Sequence, residues 1–274
     1  DLYSSAYPSQ FANAQGAIIN INTIDEVDKA GGNVDVGLIS ASALVKQPIT
    51  ETTYIDGKEK KENKGYIIAA GRVGYLTLFI PLFYEYVLDQ NLEQAVEYYD
   101  YQFKGRYDFN SSNSLTFLVF GSKDKLDLIY NDDAMEKGDD PLWEDMEWKQ
   151  NQQSHNAGLY YTFSPGKKLS NTLMGYAAMT LFHRWAEIPK ATSAWAKDVG
   201  TDSKPYIFGV KDKIRWEWWD SHAEVRAGFE ANYYRFDVEG KILLPREYIE
   251  SGFDPNDPDL AVTIELDETI ENYT

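Results

Sequence analysis

The sequence predicts an all-β fold, an antiparallel transmembrane β-barrel, and three observations carry that expectation. From Tyr98 to Tyr130 the chain alternates with period two: Tyr99, Tyr101, Phe103, Tyr107 and Phe109 share one face, and Asp100, Gln102, Lys104, Arg106 and Asp108 the other. The strands are also long, reaching the roughly 9–11 residues of a tilted membrane strand where soluble strands run about five or six. Finally, short turns (110–113, 164–168, 220–222) alternate with long loops (79–97, 131–150, 187–204, 240–274), the asymmetry of outer-membrane barrels.

Composition agrees with strands. The 274 residues include 20 Tyr, 13 Phe and 7 Trp, and no apolar run is long enough for a transmembrane helix, so any membrane embedding must be by strands. Cysteine is absent, which excludes disulfides and thiolate metal sites and suits a bacterial envelope protein. A net charge of −18 argues against nucleic acid as a partner, because phosphate neutralisation needs an excess of Lys and Arg. That charge concentrates in loops, with eight acidic residues in 131–149 and nine in 241–274.

Taken in order, Tyr7-Pro8 and Gly16 punctuate a run that ends in a short strand from Ile18 to Thr23. After a polar connector through Gly31-Gly32, Asn33 to Leu38 and Ala43 to Ile49 form a small hairpin, closed by Pro48 and a polar turn from Thr50 to Lys64. Gly65 to Leu78 follows, with Ile67, Ala69, Val73 and Tyr75 opposite Arg72. Residues 79–97 read as a loop with a possible short helix, since Leu82, Phe83, Tyr86 and Val87 recur at helical spacing. Beyond the central hairpin come strands from Asn156 to Phe163, Asn171 to Trp185, Tyr206 to Trp219 and Ala223 to Val238, with Pro189 and Pro205 in the loop before the third. Aromatic pairs beside the short turns, such as Tyr161 with Phe163 and Trp216 with Trp218, fit an interfacial girdle.

Two stretches bring a family into view. Tyr7-Pro8-Ser9-Gln10-Phe11 through Gly16-Ala17-Ile18-Ile19-Asn20-Ile21-Asn22-Thr23 resembles the end of the plug of TonB-dependent outer-membrane receptors, and Gly32 to Leu38 with Ala43-Leu44-Val45 and Pro48-Ile49 resembles their first barrel hairpin. Ala69 to Leu76 and Tyr99-Asp100-Tyr101-Gln102 are similar to the strands that follow. The chain departs from the pattern at Ala17, Gly71 and Val73. The resemblance implies a plug-like end over 1–30, N-terminal barrel strands over 31–240 and a long extracellular loop or truncated end over 241–274. With about nine strands of a barrel of roughly 22, the chain would need the rest of the barrel, from the same or a second chain. It would sit in the lipid bilayer of a Gram-negative outer membrane and import a scarce nutrient such as a metal chelate, vitamin or glycan, with a TonB-type energiser as partner.

Chemical motifs are sparse. His155, His183 and His222 are too scattered for a zinc helix, and there is no nucleophile elbow or phosphate loop, so neither catalysis nor a cofactor is expected. An EF-hand-like stretch from Asp254 to Glu265 fails at Pro258 and Asp259, and no metal site is expected. The functional candidates are charges on the wet face, Arg72, Lys104, Arg106, Lys211, Lys213, Arg215, Arg226 and Glu230, expected to line a lumen mainly as mutual salt bridges. A second set, Asp132, Asp133, Asp139, Asp140, Trp143 and Trp148, belongs to an outer loop. Asp212 falls on the apolar face, and a β-bulge is the expected remedy. Two other classes stay open: a structural or adhesive barrel binding a protein partner through acidic aromatic loops, and a soluble carbohydrate-binding β-sheet protein.

Overall fold

A computed structural model describes residues 2–3, 18–19, 23–55, 58–79, 93–130, 146–188, 198–218, 223–241 and 266–272. Strands β1 (Leu2–Tyr3) and β2 (Ile18–Ile19) pair with each other. The remaining ten form one antiparallel sheet in chain order: β3 (Gly31–Val36), β4 (Ser40–Ile55), β5 (Lys58–Gly74), β6 (Glu93–Asn110), β7 (Asn113–Tyr130), β8 (Met146–Phe163), β9 (Leu169–Glu187), β10 (Asp198–Trp218), β11 (Ala223–Lys241) and β12 (Leu266–Asn272). Each strand pairs only with its chain neighbours, so every connection is a simple up-and-down one.

The sheet is open. Strands β3 and β12 are its two ends, and they do not pair with each other. This corrects the expectation of a transmembrane barrel, whose lumen requires the first and last strands to meet. The assignments that rested on closure fall with it. The likeness to a TonB-dependent receptor, nutrient import, an outer-membrane location, and lipid, barrel remainder and TonB-type energiser as partners all presuppose a closed barrel that the sheet does not form. Among the described residues, no helix is long and apolar enough to cross a membrane.

Several strands run through segments that read as turns. Strand β4 continues past Pro48 to Ile55, and β5 starts at Lys58, so Thr50 to Lys64 is mostly hairpin. Pro48 is tolerated because β3 pairs with β4 only as far as Lys46, and beyond it β4 is a sheet edge that needs no donor on that side. Pro205 lies within β10 for a similar reason: it and Lys204 align with β11, while the ladder to β9 skips both. The possible helix near Leu82 and the turn 220–222 lie outside the described residues.

Burial inverts the usual polarity of a sheet. On β6 the aromatic side chains Tyr99, Phe103, Tyr107 and Phe109 are exposed, whereas Asp100, Gln102, Arg106 and Asp108 opposite them are half-buried and Lys104 is only 6% exposed. At Lys104 the cause is the segment 23–28, which crosses the polar face of β5 and β6. Val27 packs there against Tyr66 and Ile68, and its carbonyl accepts a hydrogen bond from Asn63 Nδ2 at 3.0 Å. Lys104 Nζ donates to Thr23 Oγ1 and the Ile24 carbonyl, both at 2.9 Å, and to Asp25 Oδ1 at 2.5 Å. A second small core, Ala186, Ile188 and Val199 with Met146 and Trp148 against it, sits at one end of the same face.

Lys104 is therefore the anchor of this segment. Lys104→Met is expected to cost about 1.5–3 kcal/mol, the worth of charge-assisted hydrogen bonds. Urea unfolding would measure the loss, and hydrogen exchange should show the amides of 23–28 losing protection.

Candidate functional site

Two surfaces stand out, one on each face. Directly opposed residues in an antiparallel ladder share a face, so the register assembles each surface residue by residue. The aromatic face runs from β3 to β11. Val34, Val45, Ile67, Phe103, Phe117, Leu159, Leu173, Val210 and Phe229 are all exposed on it. Phe103 and Phe117 meet edge to face at 6.1 Å between ring centroids, and Trp216 and Trp218 lie nearly parallel at 5.9 Å beside the β10–β11 connection.

Asp212 does lie on this face, opposite Leu173 and Phe229, but no bulge relieves it, since the β9–β10 and β10–β11 registers run straight through. Asn171 Nδ2 donates to its Oδ1 at 2.7 Å instead. That pairing is diagonal across two strands, so it was not visible in either strand's own alternation.

The polar face carries all eight charges singled out by alternation, in two groups. Arg72, Lys104 and Arg106 lie on β5 and β6, where Arg72 pairs with Asp100 at 2.6 Å, Lys104 with Asp25, and Arg106 with Asp108 at 2.9 Å. The second group gathers on β10 and β11: Lys211, Lys213, Arg215, Arg226 and Glu230 line a groove of about 510 Å³ with Ser170 and Thr172 of β9. Lys211 ion-pairs with Glu230 and Arg226 with Glu224, and Arg215 binds Glu217 at 2.5 Å. Sequence reading missed Ser170, Thr172 and Gly228 as groove residues, because only the register reveals which small residues stand opposite the cations.

Above this groove Tyr176 donates to Glu230 Oε1 at 2.9 Å and to Asn232. Gly209 stands between their strands because a Cβ there would lie 2.2 Å from the tyrosine ring. Burial raises the Tyr176 hydroxyl to about 12, aided by its hydrogen bond to Glu230 and that carboxylate's charge. Burial also pushes Glu230 up, but hydrogen bonds from Lys211, Asn232 and Tyr176 and the Lys211 charge outweigh it, and the carboxyl sits below its ordinary value.

A depressed carboxyl stabilises the fold above its unfolded pKa and loses that contribution as pH falls through the folded one. The raised tyrosine contributes below its ordinary value and loses the contribution as pH rises through about 12. Glu230→Gln is expected to be less stable than the parent at neutral pH and to converge with it in acid, as read from urea midpoints across pH.

Of the outer-loop candidates, Trp148 is in strand β8, on the polar face against the small core around Ile188, and so is corrected from a loop residue to a packing one. Asp132, Asp133, Asp139, Asp140 and Trp143 lie outside the described residues. Among the described residues no cluster of His, Asp or Glu is arranged to hold a metal ion. Compared with protein-family models, curated proteins and solved structures, the chain matches none.

Proposed function

We propose that this chain is a non-catalytic docking sheet that binds a protein partner through its aromatic face. The observation that carries this reading is the inverted burial: the sheet turns a continuous row of Phe, Tyr, Val and Leu side chains outward across its strands. Exposed apolar surfaces of this extent mark interaction sites, and a sheet with one apolar face is stabilised by burying it against another layer. The central part of the face is rich in Phe, which has no polar handle, and this favours an apolar protein surface over a polar ligand.

The test is capture of a partner by the chain and by a variant in which Phe208, Val210 and Phe229 are replaced by serine. Loss of partner only in the variant supports the reading. Uptake by protein-free lipid vesicles to the same extent as by any protein partner would contradict it.

A second reading applies to one end of the face. Trp216 and Trp218 are 48% and 61% exposed and nearly parallel, with an interplanar angle of 13°, which makes a platform on which a sugar ring can stack. Trp216→Ala with Trp218→Ala is expected to abolish any binding in a glycan-array measurement without altering protein capture.

A further inference from the structure

The polar groove contains a solvent-exposed cation that no side chain around it pairs with. Lys211, Lys213 and Arg215 occupy alternate positions of β10, and the register sets Lys211 opposite Glu230, Lys213 opposite Gly228, and Arg215 opposite Arg226. On the other flank, Lys213 faces Thr172 and Arg215 faces Ser170. Lys213 thus has a hydroxyl on one side and no side chain on the other. Among the described residues none hydrogen-bonds to its ammonium or forms an ion pair with it, Asn171 reaching only its backbone carbonyl, whereas Lys211, Arg215 and Arg226 all have carboxylate partners. Desolvation and the neighbouring Lys211 charge hold the Lys213 ammonium below its ordinary pKa against the pull of Glu230, while the side chain itself stays open to solvent. Arg215 and Arg226, like charges opposed across the ladder, are already bridged by Glu224, which pairs with Arg226 and lies 3.7 Å from Arg215, so Lys213 is the groove cation left without a carboxylate.

The same face shows what satisfies such a lysine. Lys104 is covered by the extended segment 23–28, which supplies one carboxylate, one hydroxyl and one backbone carbonyl to its ammonium. No described segment covers the Lys213 groove. From residue 211 to 215 the groove spans roughly 13 Å at about 3.3 Å per residue, the length of several extended residues and more than a single oxyanion fills.

We propose that the groove over Gly228 docks an extended acidic peptide segment of a partner chain, with a carboxylate on Lys213 and neighbouring acceptors on Arg215, Arg226 and the hydroxyls of Ser170 and Thr172. The segment lies on the polar face in the manner of 23–28, so this site is separate from the aromatic one.

The experiment titrates the intact chain with a synthetic peptide of residues 23–30, whose Asp25, Glu26 and Asp28 supply the carboxylates, by calorimetry at low salt. A matching peptide carrying Asp25→Asn, Glu26→Gln and Asp28→Asn is the neutral control. The proposal expects binding of the acidic peptide, at least tenfold weaker binding by Lys213→Met, unchanged binding by Lys123→Met on the other face, and little affinity for the neutral peptide. It also expects the Lys213 ammonium, followed by nitrogen NMR, to titrate at higher pH when the peptide is bound. Equal affinity of Lys213→Met, equal affinity of the neutral peptide, or no binding at all would overturn it. Displacement of the peptide by an equal concentration of inorganic phosphate would overturn it too, by making this a small-anion site.

Discussion

Replacing Phe103, Phe117 and Leu159 together by serine is expected to weaken partner binding by more than about a hundredfold while leaving the fold in place. The three lie on β6, β7 and β8 as one patch: Phe117 is opposite Leu159, and Phe103 touches the Phe117 ring. Hot-spot residues of interfaces each contribute about 2 kcal/mol or more, and losing three neighbours removes a centre that rim contacts cannot replace. Stability should change little, because these side chains are already 38%, 40% and 48% exposed and the ladder beneath them is backbone. A binding isotherm beside a urea unfolding curve separates the two effects. A large loss of stability with the binding constant unchanged would place these residues in a core and remove the docking face.

Gly65→Ala is expected to destabilise the chain by about 3 kcal/mol or more, since backbone strain and a steric clash coincide there. At Gly65 the backbone φ is +143°, a conformation that side chains rarely adopt. An added Cβ would also stand 2.0 Å from the Arg106 carbonyl oxygen, which cannot move without breaking the β5–β6 ladder. The strain has an origin in the register. Ile49 pairs with Gly65 but Thr50 with Asn63, so Lys64 is an extra residue and the chain bulges there. Asn63 holds the bulge, accepting from the Gly65 amide at 3.0 Å while its own amide reaches the Val27 carbonyl. Loss of Gly65 should therefore loosen the 23–28 segment as well, and hydrogen exchange of Asp25 to Asp28 beside the unfolding midpoint would show both. An unchanged midpoint would mean the bulge is not fixed by this glycine.

What the sequence made legible was the faces. Period two put Tyr99, Phe103 and Tyr107 together and Lys104 with Arg106, and it put Lys211, Lys213 and Arg215 on the side where they lie. It also located the Asn110–Asn113 turn. Closure was not legible, because alternation describes each strand and its neighbours and is the same whether or not the first and last strands meet. The prolines misled for a related reason. Pro48 and Pro205 break a strand only where their missing donor is needed, and that depends on which neighbour lies beside them. Trp148 read as part of an acidic loop because the residues before it are acidic, yet its place in β8 is set by pairing with Leu128 and Ala186. The empty side of Lys213 needed the register too, since Gly228 lies on another strand.

The chain has no cysteine, so single cysteines can report on each face without background. Phe103→Cys and Phe208→Cys place a thiol on the aromatic face, and Gln102→Cys and Thr116→Cys place one on the polar face. The most direct measurement is the rate of modification of each thiol by a charged maleimide, with and without the protein partner. The docking sheet predicts that positions 103 and 208 react rapidly in the free chain and are protected when the partner is bound, while 102 and 116 keep their rates. Equal reactivity at 103 and 208 with and without partner, or protection at 102 and 116 alone, would contradict it.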